Sequence, residues 1–221
     1  CIRLPGISLP YHQDEWKIVS ASASAERASG LAHPPLTQLL FRLDRELFGP
    51  GAMRILPLIF SLATAWLLFV VLRRRLGERA SFISLALFAV TFYNIWASLQ
   101  IDTDGAILPF FFLLAVYAYD RWRIAPAERR VHWLIGLTLA LLAGLLVKLS
   151  FALVVGALAL DFILTPSGQS FGRRVGLAIV SLTVIGMLFV VILAIINSIY
   201  PSFSWRAMQA HASYYAEGGR N

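Results

Sequence analysis

The stretch WLIGLTLALLAGLLVKLSFALVVGALALDFIL, Trp133 to Leu164, decides the fold: as one helix it is far too long, and as two it folds back on itself at Lys148. At 1.5 Å of rise per residue a continuous helix over this stretch is about 48 Å long, against a hydrocarbon core of about 30 Å. Two spans meeting at Lys148 are therefore expected. Lys148 is the only charge between Arg130 and Asp161, and it falls at the corner.

Working outward, the remaining apolar runs are Ala52 to Leu72, Ala80 to Leu99, Gly105 to Tyr119 and Val175 to Asn197. Together with Trp133 to Val147 and Leu149 to Leu164 they predict an all-α polytopic membrane bundle of about six transmembrane helices. The composition agrees, with 58% hydrophobic and 14% charged residues. The runs are continuous, without the narrow apolar stripe of a soluble helix. A lone cysteine, Cys1, rules out a disulfide framework or cysteine metal site within this sequence. The sequence begins without Met or a signal peptide, as expected of the core portion of a longer protein. The net charge of +7 does not indicate nucleic acid here, because the arginines lie in short connections between apolar runs.

Those connections set the topology. Arg73-Arg74-Arg75 with Arg79, then Arg121, Arg123, Arg129 and Arg130, then Arg173-Arg174 are each separated by two apolar segments. All three clusters share one side, which the positive-inside rule makes cytoplasmic. Parity then collects the amino-terminal region, Asp102, Asp104, Lys148 and the carboxyl-terminal tail on the opposite, extracytoplasmic face. Three regions are expected: 1–51 as an extracytoplasmic loop with amphipathic juxtamembrane helices, 52–197 as the helix bundle, and 198–221 as the start of a later loop.

Within the first region, Pro35 to Phe48 places Leu36, Leu39, Leu40, Leu43 and Leu47 on one helical face, with Gln38, Arg42, Asp44, Arg45 and Glu46 mostly elsewhere. Such a helix, opened by prolines, is expected to lie in the membrane interface. A weaker helix is expected from about Asp14 to Ala28, with His33-Pro34-Pro35 as the corner between the two.

Several of these residues have both a bland and a chemical reading. Asp14 and Glu15 either cap a helix or form an acidic pair at a site. Asp102 and Asp104 either belong to a solvated loop, with Asp104 capping the next helix, or contribute oxygen ligands. Lys148 either snorkels to the interface or binds a phosphate there. Arg54 at the head of a span suits an interfacial anchor, His33 a corner, and Asp161 a structural role near the arginine-rich end. Four acids supply only oxygen ligands, which permits a divalent cation such as Mg or Mn without requiring one. A transporter or lipid flippase is the alternative class, but such proteins place polar groups at broken helices near the midplane, and these charges lie at helix ends.

Taken in order, Asp14-Glu15, His33-Pro34-Pro35-Leu36 leading through Leu47-Phe48-Gly49 to Arg54, Leu76-Gly77-Glu78-Arg79, Ile101-Asp102-Thr103-Asp104-Gly105 and Gly144-Leu145-Leu146-Val147-Lys148 resemble the multi-pass GT-C glycosyltransferases. The resemblance is to bacterial relatives of the protein O-mannosyltransferases and of the lipid A aminoarabinose transferase. It implies transfer of a sugar from a polyprenyl-phosphate donor to a lipid, glycan or protein acceptor, with inversion, at the extracytoplasmic face of a bacterial plasma membrane. Membrane lipids are then the surroundings and nucleic acid is no partner. Asp14 matches the family's catalytic acid and would act as base, with Glu15 orienting it. Lys148 and Arg54 would hold the donor phosphate, while Asp102, Asp104 and His33 would bind substrate or a metal.

Overall fold

The computed structural model describes residues 10–23, 34–166 and 168–199. His33 and the tail residues Trp205, His211, Tyr214 and Tyr215 lie outside them, as do residues 24–28 of the expected first helix. Among the described residues the chain is all-helical. The helices are α1 (Gln13–Ala21), α2 (Pro35–Phe48), α3 (Ile55–Leu76), α4 (Glu78–Val90), α5 (Phe92–Ala97), α6 (Leu108–Ile124), α7 (Ala127–Val147), α8 (Ala152–Leu164) and α9 (Phe171–Ile199). A π-helical turn, Thr103–Ile107, leads into α6, and a 3₁₀ turn, Leu149–Phe151, leads into α8.

Four helical stretches are long and apolar enough to cross a membrane: Ile55–Leu76, Thr103–Ile124, Ala127–Val147 and Phe171–Ile196. This is an integral membrane bundle. The other two expected spans are shorter. The run predicted from Ala80 to Leu99 divides at Thr91, where the side chains of Thr91 and Asn94 turn back onto the carbonyls of Leu87 and Phe88 and satisfy the end of α4. The run from Leu149 to Leu164 is interrupted at its start by the 3₁₀ turn, so α8 has only 13 residues. The chain does break at Lys148, which adopts extended backbone angles and caps α7 through its N–H on the Gly144 carbonyl.

Helices α6 and α7 form the central pair, with α3 against α6, α2 against α7, and α8 and α9 on the far flank. The core runs through Phe111, Ala115, Leu137, Leu141, Val147 and Phe151. Outward-facing leucines, isoleucines and valines cover α9, where only 11% of the apolar window is buried, as expected of a helix bordered by lipid tails.

On α2 most of the leucine face is turned outward, which suits a helix lying in the membrane interface, and only Leu36 and Leu40 are partly buried. Leu39, Leu43 and Leu47 are exposed, and the stripe packed on the bundle is Thr37, Phe41 and Asp44. Leucines on a juxtamembrane helix are equally at home in lipid, so the smaller and polar face is free to pack on protein. Thr37 uses this position to donate its hydroxyl to the Val147 carbonyl at 2.8 Å. The contact fastens α2 beside the Lys148 corner.

Two close approaches shape the same end of the bundle. A Cβ on Gly144 would come within 2.3 Å of the buried Phe151 ring, and one on Gly105 within 2.6 Å of the Ala97 Cβ. Glycine is what lets α7 meet the 3₁₀ turn and the π turn meet α5. Gly144→Ala is expected to destabilise the protein by about 1–3 kcal/mol through overpacking. The check is thermal unfolding in detergent, in which Gly144→Ala with Phe151→Leu should recover part of the loss.

Candidate active site

Helix α1 is short, yet Glu15 on it is 4% exposed, and Arg54, just before α3, is 6% exposed. Glu15 Oε2 accepts from an Arg54 terminal nitrogen at 2.7 Å and from the His12 N–H at 2.7 Å. Its Oε1 accepts from Arg54 Nε at 3.1 Å and from the Ile101 N–H at 3.0 Å. Arg54 also donates to the Pro10 carbonyl at 3.0 Å and stacks over the Tyr11 ring at 5.1 Å. One carboxylate thus joins α1, the head of α3 and the loop before the π turn. Burial alone would raise the Glu15 pKa, but the Arg54 guanidinium and the two backbone donors outweigh it and hold the carboxyl below its ordinary value.

The second pair is Lys148 with Asp104, an ion pair whose side chains remain 32% and 45% exposed. Asp102 caps the π turn by accepting from the Thr103 N–H at 2.7 Å, so the capping expected of Asp104 falls to its neighbour. Asp104 is thereby left to face Lys148. Asp14 lies on α1 next to Glu15. The arginine clusters gather at the other end of the bundle, where Arg75 pairs with Asp120, and Arg123 and the Tyr119 hydroxyl share Asp161.

Among the described residues no three His, Cys, Asp or Glu side chains are grouped to hold a metal ion. Asp102 and Asp104 are each engaged, one with Thr103 and the other with Lys148.

Sequence reasoning missed Asp44. It is fully buried, and neither carboxylate oxygen has a hydrogen-bond partner. Burial pushes its pKa up to about 7. No sequence signal marked it, since an aspartate on an amphipathic helix ordinarily faces water.

The profile of the dolichyl-phosphate-mannose-protein mannosyltransferase family matches residues 32–200. The chain belongs to that family. It is a mannosyltransferase-like, GT-C type glycosyltransferase of the membrane. The match takes in Arg54, Asp102, Asp104 and Lys148, and begins after Asp14 and Glu15. No curated protein and no solved structure matches the chain.

Removing Arg54 strands a buried carboxylate, so Arg54→Met is expected to lower stability by about 3–5 kcal/mol, measurable as a fall in the unfolding midpoint. Because the folded pKa of Glu15 is depressed, its contribution is present above the unfolded value near 4.5 and lost as pH falls through the folded one. Glu15→Gln should remove that acid-side slope. For Asp44 the sign is opposite. Its folded pKa is raised from 3.8 to about 7, so stability declines as pH rises between those values. Asp44→Asn should flatten this decline and be the more stable protein at about pH 8.

Proposed function

We propose that this chain forms the core of an inverting glycosyltransferase that moves a sugar from a polyprenyl-phosphate donor to a lipid, glycan or protein acceptor. The reaction takes place at the end of the bundle carrying Asp14, Asp104 and Lys148, on the extracytoplasmic face of a bacterial plasma membrane. The observation that carries this reading is the Lys148–Asp104 pair: a half-exposed cation at a helix corner, at the same end as the acidic residues of α1, in a chain of this family.

The chemistry is a single displacement. The acceptor hydroxyl oxygen attacks the anomeric carbon while the bond from that carbon to the phosphate oxygen breaks, and the electron pair leaves with the polyprenyl phosphate. Asp14 takes the hydroxyl proton. Charge builds on the departing phosphate, and the Lys148 ammonium stabilises it as a point charge. Asp104 neutralises Lys148 when no donor is bound and, once the phosphate replaces it, turns to sugar or acceptor hydroxyls. Asp102 sets the π turn that carries Asp104. Glu15 and Arg54 act together as positioning residues: their mutual bonding keeps α1 and Asp14 against the bundle.

With labelled polyprenyl-phosphate mannose and membranes at matched protein level, Asp14→Asn should lower kcat by about 100-fold or more. Lys148→Met should lower kcat and raise the donor KM. Transfer by Asp14→Asn at the parent rate would overturn the assignment of the base.

A further inference from the structure

At the arginine-rich end, away from the proposed reaction, α6 to α9 leave an open apolar groove of about 350 Å³ lined by Leu137, Leu141, Val155, Leu158, Ala178 and Ile185 among others. It adjoins a second pocket of about 250 Å³, with which it shares Trp122, Phe162 and Leu177. That second pocket adds Arg123, Arg130, Thr165 and Gln169. One end of the combined space is hydrocarbon-like and the other is cationic.

The two arginines are not equivalent. Arg123 is already bonded to Asp161 at 3.2 Å, which also accepts the Tyr119 hydroxyl. Arg130, in the first turn of α7, has no carboxylate partner among the described residues. Thr165, which lines the cationic pocket, accepts at its carbonyl from the Arg174 guanidinium. From Leu177 to Ile185 the groove follows α9 for about 12 Å into the bilayer, on a helix whose surface is otherwise turned to lipid.

We propose that this groove binds one anionic phospholipid, its acyl chain lying between α7, α8 and α9 and its phosphate at Arg130 and Arg123. The occupant follows from charge complementarity. An apolar slot alone would take any acyl chain, but a slot that opens on a guanidinium without a counter-ion selects a headgroup with net negative charge. A zwitterionic headgroup brings its own ammonium to the arginines and gains less. The position, at the level where the basic connections leave the membrane, is where a phospholipid phosphate lies.

The test uses the purified chain in detergent, offered equal amounts of phosphatidylglycerol and phosphatidylcholine of the same acyl length, with retained lipid counted by native mass spectrometry. Preferential retention of one phosphatidylglycerol is expected, and Arg130→Gln should weaken it about fivefold, whereas Arg130→Lys should keep most of it. Arg130 is exposed and without a carboxylate partner among the described residues, so these variants are expected to fold. Ala159→Trp, which fills the groove, should also reduce retention. Equal retention of the two lipids, or phosphatidylglycerol binding unchanged in Arg130→Gln, would overturn the proposal. So would displacement of the bound lipid by equimolar polyprenyl phosphate, which would reassign the groove to the donor, or unchanged retention in Ala159→Trp.

Discussion

A carboxylate and a guanidinium removed from water must satisfy nearly all of each other's hydrogen bonds, and this requirement on Glu15 and Arg54 fixes the end of the bundle where we place the reaction. Desolvating two ions costs more than their attraction returns unless the geometry is good and the remaining lone pairs are filled. Here four donors converge on one carboxylate, two from Arg54 and one each from the backbone at His12 and Ile101. Every one of them is sensitive to register. A shift of α1 by one residue would bury Glu15 without partners, so α1, the head of α3 and the loop at residue 101 hold one arrangement.

The second constraint acts beside it. Asp102 turns the chain at the start of the π segment, Gly105 allows that turn to press against Ala97, and Gly144 allows α7 to close onto Phe151. The consequence is that Asp104 and Lys148, 44 residues apart in sequence, meet while both stay reachable from outside. A buried clamp and a partly exposed pair then differ in kind: one holds position, and the other keeps its charges within reach of solvent.

Much of this was legible in the sequence because the relevant signals are local. The length of the Trp133–Leu164 run requires a break, and Lys148 marks it. Spacing of the arginine clusters separates the two ends of the bundle. Pairing was not legible. Glu15 and Arg54 are 39 residues apart, and residue type alone made Arg54 an interfacial anchor and Glu15 a helix cap or one of an acidic pair. Which stripe of α2 meets the bundle was not legible either, because lipid and protein interior both accept leucine and an apolar stripe does not say which of them it meets. The burial of Asp44 on that stripe went unread for the same reason. The division at Thr91 has a local signal, since Thr91 and Asn94 lie close together within the run and both can bond backbone carbonyls.

The Glu15 carboxylate as the common anchor of α1 and the residue 101 loop is tested most directly by amide hydrogen exchange at the Ile101 N–H, which donates to Glu15 Oε1. Exchange over residues 98–105 in the folded parent and in Glu15→Ala, compared in the same detergent, should show protection at Ile101 in the parent and its loss in the variant, together with faster exchange in α1. Unchanged protection at Ile101 in Glu15→Ala would contradict a clamp centred on Glu15.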